Sequence, residues 1–197
     1  MKFILLHIIF FTIIGNTFAH KPIYPEFKDY GSLGGDIYLD STLGNKIHSN
    51  EYRNIKIIFF GFISCPDICP TTLNIINQSF KDLELKYDDK LNLFFISVDP
   101  KRDTISSLKE YLNYFNSDFI GMIGNKDELI EIVRKYGGFF AESDQNNTTV
   151  ISHTSYLYLL DSKNKVRALY KSDVKKDKLI KGIENLLKKI FKKGNSL

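Results

Sequence analysis

Two continuous apolar runs, residues 55–62 and 91–98, stand out in a chain whose other apolar positions recur mostly at helical intervals. A run that is apolar at successive positions has both faces covered, which suits a central strand between two layers. After the first run, Leu73, Ile76, Phe80 and Leu83 form one stripe and predict a helix over 71–87. After the second, residues 99–103 turn through Pro100, and a helix over 105–115 carries Leu108, Tyr111, Leu112 and Phe115 on one face. A short strand over 119–123 and an amphipathic helix over 126–136, closed by Gly137-Gly138, follow. Residues 139–152 read as a long polar connection. Residues 155–160 and 166–170 read as an antiparallel hairpin, and a last helix over 176–191 turns Leu179, Ile180, Ile183, Leu187, Ile190 and Phe191 inward. Upstream, residues 34–48 predict a short hairpin, with a strand over 36–39 and a turn at 43–46.

The order is strand-helix three times, then a hairpin and a helix. Such alternation predicts an α/β domain, a parallel sheet core with helices on both faces. The closing hairpin makes the sheet mixed. This is a thioredoxin-like arrangement with an added N-terminal hairpin, spanning 34–193. Open α/β sheets bind ligands beyond the carboxyl ends of their strands, so the segment just after the 55–62 strand is where a site is expected.

The N-terminus has a different pattern. Lys2 precedes an almost unbroken apolar run over 3–14, and Thr17-Phe18-Ala19 places small residues at both specificity positions of a cleavage site. Residues 1–19 are therefore expected to be a signal peptide or a short membrane anchor; the run is shorter than the roughly 20 residues of a full span. Residues 20–33 read as an extended lead-in. Everything after about His20 is expected outside the cytoplasm.

The 197 residues suffice for one domain with a full core, and 43% hydrophobic with 25% charged residues is ordinary for a globular protein. A net charge of +4 argues against a nucleic-acid partner. The lysines crowding 171–193 read as the solvated face of the last helix rather than an anionic-membrane contact.

The two cysteines, Cys65 and Cys69, are the only ones in the chain. A bridge between them would close almost no loop and add little stability, so they are there for chemistry. A spacing of four puts both on one helical face or converges them in a tight loop. Pro66 and Pro70 are tolerated in a first helical turn, whose free N–H groups and dipole favour thiolate over thiol. Two thiolates suit Cu(I), and a third donor would complete a trigonal site. His20, His48 and His153 are the candidates after the leader. His153 follows the polar connection and precedes a strand, so the topology can return it over the cysteine loop. The same pair could instead be a redox couple, and spacing alone leaves copper and redox chemistry about even.

Phe60-Gly61-Phe62, Cys65-Pro66-Asp67-Ile68-Cys69-Pro70, the block from Ile96 to Thr104 containing Asp99-Pro100-Lys101-Arg102-Asp103, and Ser152-His153-Thr154, in this order, resemble the Sco/SenC family. The likeness covers nearly the whole chain after the leader. It implies a thioredoxin-like, membrane-anchored copper protein that helps assemble the copper centre of cytochrome c oxidase subunit II. By resemblance, Cys65, Cys69 and His153 match the family's ligands for Cu(I) or Cu(II), and a thiol-reductase role toward the target's own cysteines is implied beside them. Asp99 matches an acid near the site, and a hydrogen bond from the ligating imidazole to it is one option the sequence leaves open.

The resulting expectation is an extracytoplasmic metallochaperone, receiving copper from an upstream donor and passing it to subunit II or another cuproprotein. The alternative is a thiol–disulfide oxidoreductase or a redox or copper sensor, in which Cys65 and Cys69 cycle as the catalytic pair. The periplasm, with residues 1–19 anchoring the chain to the inner membrane if uncleaved, is expected ahead of a mitochondrial intermembrane location.

Overall fold

A computed structural model describes residues 30–87, 91–145 and 148–194. The leader and most of the lead-in, including His20, lie outside the described residues. Strands β1 (Tyr38–Ser41) and β2 (Lys46–His48) are followed by a single 3-10 turn, then β3 (Ile55–Gly61), α1 (Ile68–Tyr87), β4 (Leu91–Ser97), α2 (Ile105–Asn113), β5 (Ile120–Ile123) and α3 (Lys126–Lys135). Next come β6 (Phe140–Gln145), β7 (Thr148–His153), β8 (Tyr156–Leu160), β9 (Val166–Lys171) and α4 (Lys176–Gly194).

Seven strands form one mixed sheet in the order β2-β1-β5-β4-β3-β8-β9. β3, β4 and β5 are mutually parallel, while β8 joins β3 and β1 joins β5 antiparallel. β3 is central, and all seven of its residues are buried. Its alternation decides which layer each side chain joins. Ile55, Ile57 and Phe59 pack into one cluster with residues of α1, α2 and α4, such as Leu73, Leu108 and Ile183. Ile58, Phe60 and Phe62 pack into the other with Leu129, Ile132 and Tyr136 on and just after α3. Helices therefore cover both faces, three against one, as the thioredoxin-like reading requires. Each fully buried aliphatic of these clusters is worth about 2–5 kcal/mol against alanine.

Three expectations are corrected. The first strand runs 38–41 rather than 36–39, because residue 37 is tied back to Ser49 through its N–H and carbonyl instead of to β2. Helix α1 begins at Ile68, three residues before the expected start at 71, since Pro66 sits just ahead of the first turn and Thr71 N–H already donates to the Asp67 carbonyl at 3.2 Å. Most consequentially, the connection over 139–152 is a regular hairpin. β6 and β7 pair from Phe140↔His153 to Gln145↔Thr148 as a separate two-stranded sheet. Among its residues whose burial is described, only Ile151 lies in the buried core, so the sequence lacks the apolar alternation that marks a half-buried strand.

β3 also holds an unexpected charge. Lys56 is fully buried, its Nζ donating to the Asn54 carbonyl at 3.2 Å. Burial pulls its ammonium down to about 8, against the attraction of Asp161 and Asp36.

Candidate metal centre

β3 ends at Gly61, and the chain turns through residues 62–67 into α1. Gly61 is there for a steric reason: a Cβ would stand 2.7 Å from the Phe95 ring and 2.9 Å from Cys69 Sγ. The bare backbone lets the Cys69 sulfur sit directly against the strand end. Cys65 N–H donates to the Phe62 carbonyl at 3.2 Å, closing the turn. Cys69 falls in the first turn of α1, where a backbone N–H has no helical acceptor, and it donates instead to Cys65 Sγ at 3.4 Å.

The two thiols have different environments. Both are free; Cys65 is half-buried and Cys69 fully buried. Hydrogen bonding from the Cys69 thiol holds Cys65 well below the usual thiol range, overriding its partial burial, with further help from the His153 side chain and the N–H groups of Cys69 and Asp67. Cys69 is pushed far up, by donating its proton to Cys65, by burial, and by the negative charges of Cys65 and Asp103. The pair thus holds one proton on Cys69 and a thiolate on Cys65.

His153 is the last residue of β7. Its Nδ1 lies 3.1 Å from the Thr154 carbonyl, and its ring meets the edge of Phe62 at a centroid distance of 5.7 Å. With its proton on Nδ1 the ring would donate to that carbonyl and keep an Nε2 lone pair for a metal, whereas a proton on Nε2 would serve a hydrogen bond to Cys65 instead. Contacts therefore run from Cys65 to both Cys69 and His153. Among the described residues, no three His, Cys, Asp or Glu side chains yet converge at metal distance.

The Asp99–Asp103 turn supports this loop. Asp103, almost fully buried, accepts from Ser97 Oγ at 2.6 Å and from Ile63 N–H at 3.1 Å, so it ties the cysteine loop to β4. Burial raises its carboxyl despite those two donors. Thr104, not Asp103, caps α2, in a capping box with Ser107. The Asp99 carboxylate accepts from Arg102 Nε, so a guanidinium rather than the imidazole is its partner. His48 stacks on Tyr38 at 4.0 Å in the edge strand β2, with three strands between it and β3, so it is not at the site. Sequence reasoning missed one neighbour, Tyr111. It reads as a plain stripe residue, yet its hydroxyl is buried without a partner among the described residues, and burial, with the cysteine pair nearby, pushes it up.

A thioredoxin-like sheet with a thiolate–thiol pair at the carboxyl end of its central strand, and a histidine brought over it, defines the class of thiol- and metal-handling thioredoxin-like proteins. Residues 28–188 match the SCO1/SenC family model, and the chain belongs to the SCO1/SenC family. It is 38% identical over 143 residues to an SCO2-like protein of Rickettsia conorii, covering 71% of this chain and 69% of the relative. Among solved structures, the crystal structure of yeast Sco1 with copper bound matches with a TM-score of 0.72 and 30% identity, over 80% of this chain and 90% of that one. BsSco, described as a member of the Sco family of cytochrome c oxidase assembly proteins with a disulfide switch, matches with a TM-score of 0.66. At 17% identity, over 81% of this chain and 95% of its own, that likeness speaks for the fold alone.

Proposed function

We propose that this chain is an extracytoplasmic copper metallochaperone, with copper as cargo held by Cys65, Cys69 and His153. The observation that carries the reading is Cys65 Sγ accepting from the Cys69 N–H while the Cys65 N–H is held by the Phe62 carbonyl, with the His153 ring on the Phe62 ring at the carboxyl end of β3. The donor chemistry fits: two soft sulfurs suit Cu(I), and an imidazole adds affinity for Cu(II). Cys69 must give up its proton when a metal takes its sulfur, so uptake releases a proton and strengthens with rising pH. The half-buried Cys65 is the accessible point of entry and exit, while Cys69 anchors the site against Gly61.

The copper-bound yeast relative supports the cargo. The family resemblance supports delivery during cytochrome c oxidase assembly, with subunit II as recipient, and a reducing role toward the recipient's cysteines. The apolar leader supports a periplasmic location with a membrane-proximal site. No described helix is long and apolar enough to cross a membrane.

The contrast between the two thiols favours a second reading, thiol–disulfide exchange, with Cys65 as attacking thiolate and buried Cys69 as the resolving thiol. The two readings separate in one experiment. The reduced domain is titrated with Cu(I) and Cu(II), wild type beside a Cys65→Ser/Cys69→Ser variant. One copper per chain, lost in the variant, supports the metallochaperone. No tight copper with rapid reduction of a peptide disulfide would put the exchange reading in its place.

A further inference from the structure

The hairpin that carries His153 shares no strand pairing with the main sheet. Its base is held by apolar contacts, with Ile151 and Phe140 packing against the cluster that contains Phe62. Such contacts hold the hairpin to the body without fixing its angle. The directional contacts come from the Asp99–Asp103 turn. Arg102 Nε donates to Asp99, whose side chain is 2% exposed, and Arg102 Nη1 donates to the Thr149 carbonyl in β7 at 3.3 Å. The guanidinium carbon lies 5.9 Å from the centre of the Phe62 ring, whose edge meets His153. Next to it, Lys101 pairs with Glu142 in β6. Arg102 is thus fixed on a buried carboxylate while one of its nitrogens reaches the strand that ends in His153 and its guanidinium carbon sits over the ring that His153 packs on.

Resting on the copper reading above, we infer that Arg102 is a positioning residue for His153. It sets the imidazole over Cys65 by clamping β7 and Phe62 together, and so tunes the site's preference between oxidation states. The two cysteines supply most of the hold on Cu(I), whereas the imidazole matters most for Cu(II). Loosening the clamp therefore weakens Cu(II) binding and leaves Cu(I) binding nearly untouched. A lysine cannot replace Arg102, because a single ammonium has no planar fork to span Asp99 and Thr149 while lying over an aromatic ring.

The test compares wild type, Arg102→Ala, Arg102→Lys, His153→Ala and the Arg102→Ala/His153→Ala double variant, with two readouts. In the metal-free domain, nuclear Overhauser contacts between the His153 and Phe62 rings report the clamp itself; they are expected to vanish in both Arg102 variants while the backbone spectrum of the sheet stays. Contacts that persist in both variants overturn the inference, whatever copper does. In the second readout, both Arg102 variants are expected to lose about ten-fold in Cu(II) affinity, with Cu(I) affinity held within about three-fold. In the His153→Ala background, the Arg102 change is expected to add nothing further. Equal losses for both oxidation states, or additive losses in the double variant, would assign Arg102 a general structural role and overturn the inference. If His153→Ala binds Cu(II) as wild type does, the assignment of His153 as a ligand fails, and the ring contacts still decide the clamp.

Discussion

Cys69 donates its backbone N–H to the sulfur of Cys65 at 3.4 Å, and its side chain further lowers the Cys65 thiol. One residue thus stabilises the other's negative charge twice, at the price of its own ionisation. The consequence is a division of labour within a five-residue segment, which spacing alone does not show.

The first prediction follows from that division. Alkylation rates followed by mass spectrometry across pH are expected to place Cys65 as thiolate well below pH 7, with Cys69 unreactive through the neutral range. Cys69→Ser, which keeps a hydroxyl donor, should leave Cys65 reactive, whereas Cys69→Ala should move its reactivity up in pH. The stability linkage has a definite sign. Cys65 is depressed in the folded state, so its contribution is fully present above the unfolded thiol value near 8.5 and is lost as pH falls through the folded value.

Gly61→Ala tests the contact between strand and sulfur. A methyl group there meets the Phe95 ring and Cys69 Sγ inside van der Waals distance. The expected cost is about 1–3 kcal/mol in denaturant unfolding, typical of overpacking a rigid core. A greater fall in copper affinity than in stability would mark displacement of Cys69 in particular. Wild-type stability and affinity together would mean that the strand end relaxes freely.

How far the site is legible in the sequence depends on how local its parts are. The runs over 55–62 and 91–98 betray the central strands because both faces of each are covered, and the cysteine loop is read from six adjacent residues. The hairpin over 140–153 is not legible: Glu142, Ser143, Asp144, Thr149 and Ser152 supply no apolar period, and the strands exist because they pair with each other. Nor is the part played by Arg102 and Asp103, which act on the loop and the hairpin from 40 or more residues away in the chain. The placement of His153 near Cys65, 88 positions earlier, is likewise a tertiary outcome, which the strand order allows and the family resemblance singles out from the other histidines. Lys56 is hidden within a run that is otherwise apolar.

Lys56 yields a prediction independent of the metal. Its folded value of about 8 lies below its ordinary 10.5. The folded protein releases this proton first, so stability should rise with pH between about 8 and 10.5, while below that window the penalty of burying an ammonium is fully present. Lys56→Met should remove that dependence and raise stability at pH 7 by roughly 2 kcal/mol. Urea unfolding of both proteins at pH 7 and pH 10.5 checks it. A variant less stable at pH 7, with the wild-type pH slope retained, would show that the ammonium is well accommodated by its carbonyl and carboxylate neighbours.

The most direct test of the central claim is the copper coordination sphere itself. X-ray absorption on the Cu(I) form and electron paramagnetic resonance on the Cu(II) form should be recorded for wild type and His153→Ala. The account predicts two sulfur donors and one imidazole nitrogen in the wild type, with the nitrogen signature lost and both sulfurs kept in the variant. A sphere without both sulfurs, or a nitrogen signature unchanged in His153→Ala, would contradict it.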